Sequence, residues 1–584
     1  MKAKHATGNF VKNVIACVAM AAVAAAFGWT GDVCGQKFIG HGWDLMMVSP
    51  AEILDHADMF DATGLDGIAV ALRGKEPGAK PWRYSYSNIH ADRPWPRELV
   101  GQHVASLRKF KEHPGLKDSM LIFWMSPRKR MDWRDDAAWE RFAGNVGTLA
   151  WAGREGGLHG YVLDSEDYGK QKQFFLDADK DGMTYDEACA VARRRGAQVF
   201  SALFKEHPDA TLLSFWFMSA GEAYYANARH PVREARKRGD LWPSFVNGLL
   251  DVLPPKAKFV DGNEHAYGCK ADTKGFYVKS YNQSQGLLGL VAPENRVKFQ
   301  TQLSVGFGQY IDMYVNGPES RWYIGPAENG SRLSAFENNL AQAAHVSTEY
   351  VWIYGEKHCW VDWKKTRQCE VWRTKCFLDA FATPTPTWEK CLPGLADMLR
   401  AVKDPDEFRE RKIAEMKAAG TYTNLVADGA CQGVPKGVTL KSGFNPRKLP
   451  PGFHNYRAPE ATNLVSGIDT TVGEGDSRSL AIRGGPFGNV SCGTTVKEGE
   501  IYALSVSVRS PKAAAEACWL RDEQWRWVEA PQMDFGEPDA EGWRHGTLTV
   551  RIPKGATRLG LFAFARLKDG EMAWFDNFSI VRLR

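Results

Sequence analysis

Between residues 37 and 357 the chain alternates two kinds of segment, and this alternation limits its possible folds more than any other feature. Eight strand-like apolar runs are read at 37–46, 65–72, 119–126, 158–166, 210–219, 256–264, 308–317 and 349–357, each short and rich in β-branched or aromatic residues. Amphipathic helical stretches lie between them, among them SPAEILDHADMFDATG, WERFAGNVGTLAWAGREGG, TYDEACAVARRRGAQVFSALFKEH and LSAFENNLAQAAHVS. A strand followed by a helix pairs in parallel with the next strand, because the helix returns the chain to the same edge. Eight such units predict an α/β protein, a (β/α)8 TIM barrel over residues 36–400. Local chemistry marks two helix starts. Ser49 caps a helix with Pro50 in its first turn and Glu52 at the positive end of its dipole. Thr184 and Glu187 form a capping-box pattern.

After the barrel comes a charged helical linker, 401–420, and then the composition changes. Residues 421–584 are rich in Gly, Thr, Ser and Val, with short alternating runs such as SLAIRG, IYALSVSVRS, HGTLTVRIP, TRLGLFAFAR and AWFDNFSIVRL. That pattern predicts an antiparallel jelly-roll β-sandwich. At the other end, three lysines precede the apolar run VIACVAMAAVAAAFGW, which predicts a signal peptide over 1–26 and a secreted or periplasmic protein. No later segment reads as a membrane span. The 74 basic and 69 acidic side chains nearly balance, so nothing asks for a nucleic-acid partner. The 21 Trp and 18 Tyr residues suit the apolar faces of sugar rings. Of eleven Cys, Cys359, Cys369, Cys376 and Cys391 cluster within 33 residues, without zinc-ribbon spacing. Disulfides or buried thiols are expected there.

In such a barrel the active rim lies at the C-terminal ends of the strands. The first strand ends in His41, Trp43 and Asp44, the third in Trp124, and the fourth in Asp164 and Glu166. The fifth offers Trp216, the sixth Glu264, His265 and Tyr267, the seventh Asp312 and Tyr314, and the eighth Trp352 and Glu356. Carboxyl groups recur among aromatics at equivalent heights. Glycosidic bond cleavage needs that chemistry: one protonated acid for the leaving oxygen and one carboxylate as nucleophile or base. Crowding drives the pKa values of neighbouring acids apart and so supplies both forms. Asp164 and Glu166 face the same side of their strand. Glu166 is the expected acid/base, Glu264 its first-choice partner, Glu356 the second choice and Asp164 a local helper. The ten other rim residues, His41, Trp43, Asp44, Trp124, Trp216, His265, Tyr267, Asp312, Tyr314 and Trp352, are expected to bind sugar.

These residues resemble known glycoside hydrolase barrels without matching one family. Retaining enzymes of the largest barrel clan carry Asn-Glu on strand four and Glu on strand seven; here Ser165 precedes Glu166 and strand seven offers Asp312. Chitinase-like barrels carry Asp-x-Asp-x-Glu with a Tyr and a Trp on strands six and eight. DSE, Tyr267 and Trp352 match in part, but Val162 and Leu163 stand upstream. The sandwich, from NLVADGA to MAWFDNFSIVRL, resembles jelly-roll carbohydrate-binding modules. The resemblance implies a secreted hydrolase of glycosidic bonds in a poly- or oligosaccharide.

Other readings compete. One is a non-catalytic glycan-binding protein on a barrel scaffold. Another is a metal-dependent hydrolase or lyase built on His41, Glu166, His265 and Glu356, though no HxH or HExxH spacing supports it. Glu356 beside Lys357 also fits a rim salt bridge. Asp177, Asp179 and Asp181 match the first half of a calcium loop, but Ala188 holds its twelfth position. No cofactor is expected apart from a possible structural calcium there.

Overall fold

The structure, a computed structural model, describes residues 35–584 apart from residues 77–82, 169–171, 272, 328–329, 364–385, 460, 486, 522–525, 528–530 and 554. The expected signal peptide and Cys369 and Cys376 lie outside the described residues. Nine parallel segments form one sheet in the order Phe307–Tyr310, Tyr350–Gly355, Lys37–Gly42, Gly67–Ala71, Met120–Trp124, Gly160–Asp164, Thr211–Ser214, Lys258–Asp261 and Leu303–Val305. The first and last of these are neighbours in sequence, separated only by Gly306. They are two halves of a seventh strand, so the sheet nearly closes into a barrel of eight strand positions.

Gly306 is the joint. A Cβ there would lie 2.8 Å from Val260 and 3.1 Å from the Tyr350 carbonyl, so only a bare backbone fits. The Gly306 N–H donates to the Asp261 carbonyl at 3.0 Å, joining the break to the sixth strand. This corrects the seventh strand expected at 308–317. The strand ends at Tyr310, and Ile311–Tyr314 form a 3-10 turn. The first and fifth strands are also shorter than expected, because Trp43–Met46 and Met218–Gly221 are helical turns.

The strands are buried on both faces, as parallel strands covered by helices must be. Helices Asp136–Glu155, Tyr185–Glu206 and Trp242–Val252 pack side by side on the outside. Gly248 allows the close approach of the last two: a Cβ there would meet the Arg193 carbonyl at 1.9 Å. Both marked helix starts carry complete capping boxes, Ser49 with Glu52 and Thr184 with Glu187.

Beyond the barrel, a seven-stranded antiparallel sheet (444–446, 465–469, 479–483, 572–582, 501–509, 544–551, 534–535) faces a five-stranded one (454–457, 488–495, 558–565, 513–521, 526–527). Leu480, Leu504, Leu561 and Phe575 fill the space between them. NLVADGA, the start of the resemblance to jelly-roll modules, forms turns that bond to the closing strand, Leu425 N–H to the Ile580 carbonyl at 2.8 Å. The outer face of the larger sheet is also apolar. Ile501, Ala503, Val581 and Leu583 bury against Ala401 and Phe408 of the helices Leu395–Lys403 and Pro405–Ala418. Glu337, fully buried on helix Arg332–Val346, forms ion pairs with Arg551, at 3.0 Å, and with Arg584. Six cysteines, Cys189, Cys269, Cys359, Cys391, Cys431 and Cys492, are free thiols.

Phe408 is 1% exposed in the seam between sheet and helices. Phe408→Ala is expected to cost about 3 to 5 kcal/mol, read as a lowered midpoint in denaturant unfolding of the full chain.

Candidate active site

Three even-numbered strands carry four acids to one mouth. Asp164 ends the fourth strand and Glu166 follows two residues later; Glu264 follows the sixth strand, and Glu356 directly follows the eighth. With His41, Trp43, Trp124, Tyr267 and Trp352 they line a cavity of about 540 Å³. Register explains the convergence. Trp124 pairs with Asp164, and Tyr354 pairs with His41 on one side and Tyr310 on the other. Residues in register are direct neighbours across the ladder. The rings then pack as a wall. Trp352 stacks on Phe215 at 4.3 Å, Tyr310 stacks on Tyr267 at 5.4 Å and on Tyr354 at 5.5 Å, and His41 stacks on Tyr354 at 5.1 Å.

A backbone twist aims Glu264. Asn263, directly before it, is fully buried in the left-handed region with φ of 31°, a conformation that stores roughly 1 to 3 kcal/mol for a residue with a side chain. Its amide donates to Glu222 at 3.0 Å, and Glu222 is held in turn by Lys279 at 3.0 Å and Asn282 at 2.8 Å. This clamp holds the strained turn.

The rings also set the protonation of the acids. Burial, then the charges of Asp164, Glu264 and Glu356, pushes Glu166 up to about 9. Burial, then Asp164 and Glu356, pushes Glu264 up to about 8. Burial pushes Asp164 up to about 7, opposed by the Glu166 N–H at 3.1 Å and the Trp124 side chain. Tyr168 donates to Glu166. The Oε2 of Glu264 is buried and has no hydrogen-bond partner among the described residues. Burial lowers His41 to about 3, so its ring is neutral. Glu356 has a different setting. It accepts the hydroxyls of Tyr310 and Tyr354, each at 2.8 Å. The backbone N–H groups of Glu356 and Lys357 donate to Asp312 at 2.8 and 3.1 Å. Carboxyls pushed toward their protonated form and an acid whose oxygens accept two phenols thus share one cavity, a set of groups that acid/base chemistry can use.

Several expected sugar contacts lie elsewhere. Asp44 points away from the cavity; its carboxylate accepts from the Trp360 N–H at 2.8 Å and the Trp363 indole at 3.1 Å. Asp312 is fully buried and spends both oxygens on the loop after strand eight. Tyr314 lies in the core against Phe336 and accepts from Asn339 at 2.7 Å. The last two changed place because the seventh strand ends early and turns them inward. Trp216 and His265, 5.4 Å apart, line a neighbouring cavity of about 310 Å³. His265 is therefore apart from His41, which separates the expected metal set. Among the described residues, the groups spaced to hold a metal are Asp58–Asp61–His113 and Glu474–Asp539–His545, neither at this mouth. Lys357 bonds Asn316 at 2.5 Å rather than Glu356. The calcium candidate is also corrected. Arg130 takes both oxygens of buried Asp181, at 2.5 and 2.7 Å, Asp177 caps a short helix through Lys180, and Asp179 is exposed. A guanidinium occupies the place a cation would need.

The cavity also contains residues that sequence reasoning missed: Tyr86, Phe215, Tyr310, Arg321 and Trp322. Tyr310 was hidden by the misplaced seventh strand. Trp322 had one signal, an indole beside Arg321 in the otherwise polar loop PESRW.

No family model and no curated protein matches the chain. Solved structures similar to it include the enzymatically active domain of bacteriophage CBA120 tailspike protein 4, with 16% identity and a TM-score of 0.20 over 27% of this chain and 21% of that one. The family 22 carbohydrate-binding and GH10 modules of Clostridium thermocellum endo-1,4-β-D-xylanase 10B share 15% identity, with a TM-score of 0.18 over 22% of this chain and 26% of that one. TmCBM61 in complex with β-1,4-galactotriose shares 11% identity, with a TM-score of 0.18 over 27% of this chain and 99% of that one. The chain thus spans about a quarter or less of the first two. At these values, what the chain does must be read from the chemistry of the cavity itself.

The raised acids make a stability prediction. The unfolded chain releases these protons near pH 4, while the folded chain keeps them until about 7 to 9. Their contribution is therefore fully present below about pH 4 and is lost as pH rises through 9. Glu264→Gln removes one of these losses. Its stability relative to wild type is expected to rise between pH 5 and pH 8, by on the order of a few kcal/mol, in denaturant unfolding at the two pH values.

Proposed function

We propose that this chain is a glycoside hydrolase, secreted or periplasmic, that cleaves a glycosidic bond by carboxyl acid/base catalysis. One observation carries the reading: four carboxyl groups from three barrel strands meet in one ring-walled cavity, and three of them hold protons well above their ordinary range. The cavity volume of about 540 Å³ suits a small ligand.

Glu166 is the proton donor in this reading, supported by its pKa, the furthest raised of the cavity's carboxyls. Asp164 sits two residues earlier and accepts the Glu166 N–H, which orients the donor. Glu356 is the partner acid, supported by the two phenols that donate to it and hold its oxygens in place. Glu264 keeps a proton and an unmatched oxygen, which suits a hydrogen bond to a sugar hydroxyl. As Glu166 protonates the leaving oxygen, positive charge builds on the anomeric carbon. The Glu356 carboxylate then attacks that carbon or draws a proton from an attacking water, according to its separation from Glu166. Low polarity around the rings strengthens each of these charge interactions. The sandwich is proposed as a carbohydrate-binding module, on its opening and closing segments. The secreted location is proposed from the N-terminal basic and apolar segment.

The test is a panel of polysaccharides and oligosaccharides assayed for new reducing ends. Glu166→Gln and Glu356→Gln are each expected to slow release by about 10²- to 10⁴-fold with cooperative unfolding retained. Activity is expected to fall as pH rises through about 9, where Glu166 loses its proton, and Glu166→Gln abolishes that limb. Unchanged turnover in Glu166→Gln overturns the reading. Binding without product in the wild type replaces it with a glycan-binding protein.

A further inference from the structure

Glu166 is a partition. It and Tyr168 form a wall of the main cavity and also of the neighbouring one of about 310 Å³. The second cavity has an aromatic floor of Phe174, Tyr225 and Trp242, with the Phe174 and Trp242 rings 4.7 Å apart. Trp216 forms a side; its indole nitrogen is shut off from solvent and donates to nothing among the described residues. An edge-to-face cluster of aromatic rings beside an indole N–H with no partner among the described residues suits a sugar ring, with an apolar face and hydroxyl edges.

Two cations complete the rim. The Arg238 guanidinium lies 3.2 Å from the centre of the Tyr224 ring, and the Lys172 ammonium 5.6 Å from that of Phe175. Neither forms an ion pair among the described residues. Of the acids lining this cavity, Asp240 accepts from the Tyr225 hydroxyl at 2.7 Å and the Trp242 N–H at 3.0 Å, Asp167 accepts from the Phe174 N–H at 3.4 Å, and Glu166 is the shared wall whose pKa is pushed up. Arg238 eases the buried charge of Asp240 only from a distance. A guanidinium over a ring, with no ion-pair partner among the described residues, can receive a carboxylate or a sulfate. The same pairing recurs across the main cavity, where Arg321 lies 5.1 Å from the centre of the Trp322 ring.

We infer that the second cavity holds the sugar on the leaving-group side of the scissile bond, and that this sugar carries an acidic substituent, a carboxylate or a sulfate ester. The leaving-group assignment rests on Glu166 as proton donor: its proton goes to the oxygen joining two rings, so the rings fall on opposite sides of it. The preference for an acidic sugar stands independently, on the cations and the rings.

The experiment measures binding by calorimetry to the full-length Glu166→Gln chain, which keeps the wall and blocks turnover. The probes are a short oligogalacturonate, a sulfated galacto-oligosaccharide and a neutral xylo-oligosaccharide of matched length. One anionic probe is expected to bind more tightly than the neutral one and to weaken as salt is raised. Adding Arg238→Gln is expected to reduce that affinity roughly tenfold, and adding Trp216→Ala to weaken it further. Arg238 is exposed at the end of helix Pro231–Arg238, so the variant keeps the fold, which thermal unfolding checks. The preferred anion distinguishes carboxylate from sulfate. Neutral binding as tight as either anionic probe, no binding by any probe, or an affinity indifferent to Arg238→Gln overturns the inference. Charge-selective binding with no product from the wild-type chain overturns the hydrolase reading and leaves the acidic-sugar preference standing. Cleavage of neutral probes alone does the reverse.

Discussion

The parallel ladder that runs round the barrel and nearly closes on itself at Gly306 is the constraint on which the rest depends. Its hydrogen bonds fix the register of strands four, six and eight, and a slip by one residue would turn their rim side chains to the opposite face. Asp164, Glu166, Glu264 and Glu356 are distant in sequence and share a cavity only because that register is held. The bare backbone of Gly306 lets the seventh strand kink between its two neighbours without opening the sheet. The early end of that strand then makes Asp312 a brace for the loop that carries Glu356.

The ring wall serves stability and chemistry at once. Phe215, Tyr267, Trp352 and Tyr354 bury one another, and in doing so they keep water from the carboxyl groups. Removing water costs the charged forms most, so the protons stay on. The fold carries this as a loss of stability at neutral and alkaline pH, the usual exchange of stability for a working site. Glu356 is held in place by the hydroxyls of Tyr310 and Tyr354 on either side of it.

The same logic extends to the neighbouring cavity. There the rings back two cations instead of enclosing acids. Carboxyls that favour their protons line one side of Glu166, and Arg238 and Lys172, which form no ion pair among the described residues, lie on the other.

Much of this was legible in the chain itself. The helix caps at Ser49 and Thr184, the eight alternating units and the acids at the ends of strands four, six and eight are local patterns, and period-two spacing already puts Asp164 and Glu166 on one side. The strand runs of the sandwich were equally readable from alternation. Local pattern could not place Asp44, Asp312 and Tyr314, which end at backbone or core partners far away in sequence, nor Tyr310, whose strand ends where long-range pairing ends. It also could not show the clamp on Asn263, the proton states or the second cavity. The sequence by itself therefore determined which units form and which chemical groups their ends carry. Tertiary structure decided which groups face one another, because register, closure and loss of water are set by contacts between residues tens to hundreds of positions apart.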